Sequence, residues 1–462
     1  MKASTGIRVI KLWAEQALCA TGWAQGVTVT VDGTRISAVE TGTQPQPGDT
    51  RLGTLLPAPA NLHSHAFQRA MAGMTERRGP NAHDSFWTWR QLMYQFMDQL
   101  TPDDVQAITA FVQMEMLEAG YGASVEFHYL HHAPGGVVYD ALGEMSQRVV
   151  AAAQESGIGL TLLPVLYQVG GCDKRALGPG QIRFGNDPER YAKLLDAAQS
   201  ALRALPEDAV LGVAPHSLRA VTPEGLLACV DLRPDAPIHI HLAEQMAEVE
   251  ETVAAWGQRP VQRLMDQVDV DQRWCLIHLT QMERAETLAL AATGAVAGLC
   301  PITESSLGDG IFDGVAWTGA KGRFGIGSDS NVRISLTEEL RTLDYSQRLR
   351  DRVRAALATP ELSTGRALFE GAALGGAQAA GRGKGMIAPG ELADLVALDM
   401  GGVDLEGRAG DCVLDAWIFA GDDRAVSEVW SGGRHVVSGG VHRNRDSIEA
   451  GYRLVMKRLQ AL

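Results

Sequence analysis

Short apolar runs alternate with longer stretches of helical periodicity through the middle of the chain. "TPDDVQAITAFVQMEMLEAG" and "PERYAKLLDAAQSALRAL" are typical of amphipathic helices. The apolar runs between such stretches predict eight strands, at residues 54–65, 123–128, 159–166, 210–218, 237–244, 273–280, 294–303 and 323–330. Eight strands with intervening helices predict an α/β fold, a closed (β/α)8 barrel of the TIM type, and a doubly wound open sheet is the alternative.

The two ends of the chain follow a different pattern, in which apolar and polar residues alternate. "GVTVTVDGTRISAVE" predicts a hairpin that turns at Asp32 and Gly33. Near the other end, "ADLVALDM", "DAWIFA" and "VSEVWSGGRHVVSGG" predict further short strands. We therefore expect residues 1–57 and 386–462 to form one small β-sandwich domain, and residues 58–385 to form the barrel.

Charge and cysteine content narrow the class of protein. The 462 residues carry a net charge of -14, which argues against a nucleic-acid or anionic membrane surface because both need a basic face. A small anionic substrate is compatible with this net charge, because it needs only a few local cations. The six cysteines are scattered without a CxxC pair, which is typical of reduced thiols in the cytoplasm.

Several predicted strands end in side chains that bind metals or carry protons. His63 and His65 end the first strand, and both rings can face one ion because positions i and i+2 of a strand point the same way. His241, His278 and Asp329 end the fifth, sixth and eighth strands, and in a barrel these ends meet at the face that holds the active site. Imidazoles with one carboxylate suit zinc or another borderline divalent metal.

Other histidines need not belong to this site. His239 points inward one layer deeper than His241, so we interpret it as a core residue. His128, His131 and His132 in "EFHYLHH" lack the glutamate of the HExxH zinc helix, and they can support a ligand, contact a substrate or serve the structure. The HxE…PCxxC signature of zinc deaminases and the GxSxG serine elbow are absent from the sequence.

Four motifs together resemble the amidohydrolase superfamily in order and spacing: "NLHSHAFQRA", "HIHLAEQ", "IHLT" and "GSDS". The segment "GKGMIAPGELADLVALD" resembles the return of that superfamily's chain to its β-domain. Binuclear members carry a carboxylated lysine on a middle strand, whereas "GLTLLPVL" and "VLGVAPHSL" contain no lysine. The resemblance therefore implies one metal ion, held by His63, His65, His241 and Asp329.

Within the superfamily, the chain resembles the formimidoylglutamate deiminases of histidine degradation through "HSHAFQRAMAG", "SFWTWRQLMY", "VEFHYLHH", "PHSLRAV" and "GSDSNVRISLTEELR". That family hydrolyses N-formimidoyl-L-glutamate to N-formyl-L-glutamate and ammonia. The resemblance implies a homodimer, and the scattered cysteines predict a cytoplasmic location. We expect one divalent ion per subunit, zinc rather than iron or manganese. The resemblance also implies a small dicarboxylate amidine as substrate, bound by Gln68, Arg90, Tyr129, His216 and Arg219.

The same resemblance assigns the catalytic roles. Asp329 accepts a proton from the attacking water, His278 hydrogen-bonds the hydroxide or the developing tetrahedral centre, and Glu244 passes a proton to the leaving nitrogen. A deaminase of a cyclic substrate, such as guanine or a pterin, would use the same metal core but apolar or aromatic walls. A silent barrel that acts as an interaction scaffold is a third hypothesis, and the complete set of expected groups argues against it.

Overall fold

The computed structural model describes residues 9–76 and 86–460. The strands are β1 (Ile10–Cys19), β2 (Gly22–Asp32), β3 (Arg35–Glu40), β4 (Thr50–Pro57), β5 (Ala60–Ser64), β6 (Ala123–His128), β7 (Gly159–Leu166), β8 (Val210–Leu211), β9 (Ala214–Pro215), β10 (Ile238–Leu242), β11 (Trp274–His278), β12 (Val296–Leu299), β13 (Arg323–Ile326), β14 (Leu395–Leu398), β15 (Val426–Ser431), β16 (Arg434–Ser438) and β17 (Val441–His442).

The α-helices are α1 (Phe86–Met97), α2 (Pro102–Glu118), α3 (Glu144–Ser156), α4 (Pro188–Leu202), α5 (Pro223–Asp231), α6 (Met246–Trp256), α7 (Pro260–Gln267), α8 (Arg284–Ala291), α9 (Pro301–Leu307), α10 (Gly314–Gly319), α11 (Leu336–Asp351), α12 (Thr364–Ala379), α13 (Asp411–Phe419) and α14 (Arg445–Gln460). Short 3-10 helices lie at Ala66–Met71, Pro134–Gly136, Ile182–Phe184 and Asp423–Ala425. None of the helices in the described ranges has the length and apolar content needed to cross a bilayer.

Strands β5 to β13 form the predicted parallel barrel. One ladder runs through β5, β6, β7 and β8, a second runs through β10 to β13, and β9 pairs with β7. Parallel bridges join Val213 to Ile238 and Ser64 to Asp329, so the two ladders close on each other at both edges. This confirms the (β/α)8 prediction, with β8 and β9 sharing the fourth strand position.

Only the strands predicted at 123–128 and 159–166 keep their limits in the structure, and two of the other six show why limits shift. Residues 54–65 divide between two sheets, because Pro57 ends β4 in the terminal sheet and Ala60 begins β5 in the barrel. Between them, the Ala58 N–H donates to the Asp394 carbonyl at 2.9 Å. Residues 294–303 contain only the short strand β12, since Pro301 occupies the first turn of α9, where its missing N–H costs nothing.

The terminal strands form one eight-stranded sheet in the order β17-β16-β15-β14-β4-β1-β2-β3. Strands from both ends of the chain thus share one sheet, and the hairpin predicted at Asp32 and Gly33 is present between β2 and β3. The Ala393 N–H donates to Thr34 and the Ile36 N–H donates to Glu391, each at 2.9 Å. These bonds hold the β2–β3 hairpin against the segment that leads into β14. The strands of the terminal sheet enclose an apolar core that is separate from the core of the barrel.

The prediction of a strand at "DAWIFA" is wrong, because this segment lies in α13 and the turn after it. Val413, Leu414, Trp417 and Ile418 are fully buried, at the i, i+1, i+4 and i+5 spacing of one helical face. A short apolar run fits a strand and a buried helix equally well, and here the helical face packs on α12.

An ionic cluster joins the amino-terminal end of the barrel to the terminal sheet. Asp208, just before β8, receives hydrogen bonds from Arg382 at 2.9 Å and from Arg434 of β16 at 2.8 and 2.9 Å. Arg382 also donates to both carboxylate oxygens of Asp394 at 3.0 Å. The side chains of Asp208 and Arg382 are 1% and 2% exposed, so each charge is compensated by the other and not by hydration.

Candidate active site

Four side chains at the carboxyl-terminal end of the barrel converge on one point. The Nε2 atom of His63 lies 3.2 Å from Nε2 of His65 and 3.1 Å from Nε2 of His241. Oδ1 of Asp329 lies 3.3 and 3.2 Å from the Nε2 atoms of His63 and His65. Ligands about 2.0 Å from a tetrahedral zinc ion are separated by about 3.3 Å, so the four donors fit such an ion.

The imidazoles are in the state that binds a metal. Nδ1 of His65 lies 2.9 Å from the Phe127 carbonyl, and Nδ1 of His241 lies 3.1 Å from the His216 carbonyl. These carbonyls accept the Nδ1 protons, which leaves each Nε2 lone pair directed inward. Burial lowers the pKa of His63, His65 and His241, which favours the neutral form that a metal requires.

The strand ends that carry the site have strained backbones. Asp329, Ala243 and His278 have φ values of +46°, +51° and +76°, in the left-handed region that residues other than glycine seldom adopt. The backbone of Asp329 is held by two hydrogen bonds of 2.9 Å. The Asp329 N–H donates to the His63 carbonyl, and the His65 N–H donates to the Asp329 carbonyl. Such strain often marks functional positions, where the surrounding structure determines the geometry.

Glu244 follows His241 on a turn that a second carboxylate holds in place. The two oxygens of Glu248 accept the N–H groups of Ala243 and Glu244 at 3.1 and 3.0 Å. The Thr280 hydroxyl donates to the Glu244 carbonyl at 2.5 Å. Burial raises the pKa of Glu244 despite the opposing charge of His278, so this carboxyl group is suited to carrying a proton.

His278 lies between two carboxylates. Its Nε2 atom is 3.7 Å from Oε1 of Glu244, and its Nδ1 atom is 3.2 Å from Oε1 of Glu304. Burial alone would lower the pKa of His278, but the charge of Glu244 and the bond to Glu304 outweigh it and raise the pKa to about 10. The protonated ring can donate from both nitrogens.

Every residue that the resemblance named for substrate binding lies around one cavity. Besides His65, His241, Glu244, His278 and Asp329, that cavity is lined by Gln68, Arg90, Tyr129, His216 and Arg219. Arg90 donates to the Tyr94 hydroxyl and, at 2.8 Å, to the Tyr167 hydroxyl. Gln68 donates to the Tyr129 hydroxyl at 2.8 Å, and among the described residues its buried Oε1 has no hydrogen-bond donor.

Four other histidines among the described residues lie away from this cavity. His239 is fully buried and lies 2.8 Å from the Ala379 carbonyl, in keeping with a core role. His131 and His132 lie 2.9 and 3.0 Å from the carbonyls of Val165 and Gly185, and with His128 they are absent from the cavity wall. Their side chains therefore serve the packing of the loop after β6.

The sequence did not identify several residues that support or line the site, among them Glu248, Glu304, Tyr167 and Phe184. Glu304 is a carboxylate one turn after a strand end, which was a usable signal. Tyr167 also directly follows a strand, β7, whereas Glu248 and Phe184 lie on helices where the sequence shows no distinguishing pattern.

Family models match nearly the whole chain. Residues 54–436 match the model of the amidohydrolase family, and residues 9–53 match the model described as formimidoylglutamate deiminase HutF, N-terminal domain. The second match falls on β1, β2, β3 and the start of β4, so it covers the part of the terminal sheet that precedes the barrel.

Two curated proteins of Pseudomonas aeruginosa are similar over most of their length. Formimidoylglutamate deiminase is 46% identical over 438 residues, which cover 94% of this chain and 96% of that protein. 8-Oxoguanine deaminase is 28% identical, covering 90% of this chain and 91% of that protein.

Solved structures agree with the fold. An amidohydrolase from Brucella melitensis has a TM-score of 0.94 at 50% identity, covering 98% of this chain and 100% of that one. An adenosine deaminase from Xanthomonas campestris with bound zinc has a TM-score of 0.82 at 22% identity, covering 98% and 99%. The second likeness concerns the fold alone.

Proposed function

The chain belongs to the amidohydrolase family, and from that premise we infer that it hydrolyses N-formimidoyl-L-glutamate to N-formyl-L-glutamate and ammonia. The observation that carries this inference is the near full-length similarity to a formimidoylglutamate deiminase. The cavity agrees with it, because two arginines, Arg90 and Arg219, line its wall beside the four converging metal donors. A dicarboxylate substrate needs such cations within a protein of net charge -14.

We propose that His63, His65, His241 and Asp329 hold one zinc ion per chain. Three imidazoles and one carboxylate suit zinc, and a fifth protein ligand is not needed. When bound, the ion lowers the pKa of a water molecule and polarises the carbon–nitrogen bond that this water attacks.

The side chains around this ion divide the proton transfers. Asp329 accepts a proton from the water molecule while the oxygen of that water forms a bond to the formimidoyl carbon. His278 donates a hydrogen bond from Nε2 to the charge that develops at the tetrahedral centre. Glu244 donates a proton to the terminal nitrogen, the carbon–nitrogen bond breaks as the hydroxyl proton of the tetrahedral centre passes to the Glu244 carboxylate, and ammonia leaves.

Other residues that line the cavity orient the substrate. Arg90 and Arg219 bind the two carboxylates of the glutamate moiety, since a guanidinium group can donate two parallel hydrogen bonds to each. Gln68, Tyr129 and His216 supply neutral hydrogen bonds. The buried Oε1 of Gln68 can accept an N–H of the amidine.

We propose that the enzyme acts as a homodimer in the cytoplasm, without a nucleic-acid or membrane partner. The support is the family resemblance, the acidic charge and the six free cysteines, five of which are buried. Light scattering on purified protein tests the assembly, and a mass of one chain of 49.5 kDa would contradict it.

The test of substrate is ammonia release by zinc-loaded protein from N-formimidoyl-L-glutamate, with guanine and 8-oxoguanine in parallel. We expect turnover of the acyclic acid alone. Turnover of a purine instead would keep the metal centre and discard the substrate. Metal uptake without turnover of any of the three would favour a scaffold or another substrate.

A further inference from the structure

Glu304 is a buried carboxylate beside His278 to which the proposed chemistry gives no role. It lies in the first turn of α9, just after β12, and is 5% exposed. Its Oε1 atom accepts the Cys300 N–H at 2.8 Å and lies 3.2 Å from Nδ1 of His278. Glu304 does not line the cavity, so it can affect the substrate only by way of its contact with His278.

We propose that Glu304 is a positioning residue, which holds the His278 proton at Nδ1 and directs Nε2 into the cavity. A carboxylate at Nδ1 fixes the rotation of the ring and keeps that nitrogen protonated in the neutral and in the cationic ring, so it decides where Nε2 is directed. With Nδ1–H held by a carboxylate, Nε2 is the atom available to Glu244 and to the reacting centre. The inference rests on the proposed function, because it refines the role given there to His278.

The backbone geometry supports this assignment. His278 has a φ of +76°, so the strand end turns sharply where the ring must be aimed. Glu304 is fixed from its own side by the Cys300 N–H, and it therefore offers His278 a rigid acceptor. A side chain that only filled space would need neither bond.

The kinetic experiment compares Glu304→Gln with wild type and with the same change in a His278→Asn background. Loss of the carboxylate is expected to lower kcat about 10- to 100-fold with KM within about threefold, as when a partner that orients an active-site histidine is removed. In the His278→Asn background, Glu304→Gln is expected to change kcat less than about twofold. An equal loss in both backgrounds would show a structural role and overturn the proposal.

Glu339→Gln is the matched control. Glu339 is also a buried carboxylate that binds this segment, accepting the Ile302 N–H at 2.9 Å, but no hydrogen bond or ion pair among the described residues joins it to His278. We expect it to keep kcat within about twofold of wild type. A loss equal to that of Glu304→Gln would mean that kcat responds to any disturbance of α9, and would contradict the positioning role.

A spectroscopic measurement on wild-type protein tests the proposal without turnover, and a variant is needed only to assign the signals. In wild-type protein labelled with nitrogen-15 histidine, the His278 signals are assigned by their absence in His278→Asn. We expect a protonated, hydrogen-bonded Nδ1. An unprotonated Nδ1 would overturn the proposal even if the enzyme releases ammonia, whereas a protonated Nδ1 in a protein inactive on N-formimidoyl-L-glutamate would overturn only the proposed substrate.

Discussion

Replacement of Asp208 by asparagine tests what holds the terminal sheet to the barrel. Asp208 receives three hydrogen bonds of 2.8 to 2.9 Å from the guanidinium groups of Arg382 and Arg434, and its side chain is 1% exposed. The substitution keeps the shape but removes the charge that compensates two arginines. Arg382 retains Asp394, whereas Arg434 loses its carboxylate partner.

Removing one partner of a buried ion pair costs about 3–5 kcal/mol, and the retained shape and the second acceptor place this case near 3 kcal/mol. An unfolding entropy of about 2.1 cal/mol/K per residue amounts to about 1 kcal/mol/K for this chain. The expected decrease in Tm is therefore about 3 °C. Activity per folded molecule is expected to stay unchanged, because Asp208 precedes β8 at the end of the barrel opposite the site.

The dependence of this loss on pH follows from the pKa of Asp208. Burial alone would raise that pKa, but the bonds from Arg434 and Arg382 outweigh burial and lower it. A lowered pKa gives stability that is present above the unfolded value of about 3.9 and is lost as pH falls through the folded value. The Tm difference between wild type and Asp208→Asn is thus largest near pH 7 and shrinks below about pH 4.

Differential scanning calorimetry at pH 7 and at lower pH measures both effects. Asp103→Asn is the control, since Asp103 pairs with Arg148 at 2.6 Å with its side chain 85% exposed, and an exposed pair contributes at most about 1 kcal/mol. An equal Tm shift in the two variants would contradict the role given to burial. A Tm difference that grows on acidification would contradict the lowered pKa of Asp208.

Three further predictions concern the site. Arg90→Ala and Arg219→Ala are each expected to raise KM for N-formimidoyl-L-glutamate about 10- to 150-fold, the equivalent of one hydrogen bond to a charged group at about 1.5–3 kcal/mol, and unchanged KM in both variants would discard the dicarboxylate substrate. Glu244→Gln is expected to lower kcat about 100- to 10,000-fold with zinc content intact by metal analysis, and near-normal kcat would remove Glu244 as the acid. Chelation is expected to abolish ammonia release and one equivalent of zinc to restore it, whereas activity that survives metal removal would contradict the metal centre.

The barrel and the convergence of four possible metal ligands could be predicted because local sequence carries both. His63 and His65 share a face through the two-residue period of a strand, and parallel strand ends in a barrel bring His241 and Asp329 to the same place. The roles of Arg90 and the other cavity residues came instead from resemblance, and the structure places them around one cavity.

Other features depend on packing that the sequence does not display. The "DAWIFA" segment became part of α13 because its apolar face lies against α12, which no local pattern reports. Glu248 and Glu304 act through bonds to backbone turns and to His278. Such bonds form only when the loops are folded. In the sequence alone, a glutamate in a helix cannot be distinguished from a glutamate exposed to solvent.

The products of a single substrate test the proposed reaction most directly. The formimidoyl carbon bears two nitrogens, and hydrolysis can expel either ammonia or the nitrogen of glutamate. We propose that Glu244 protonates the terminal nitrogen, so proton NMR of the zinc-loaded reaction is expected to show N-formyl-L-glutamate, with one ammonia per formyl group and no formamide. Formamide and free glutamate would contradict the placement of the general acid, and an unchanged substrate spectrum would contradict the function itself.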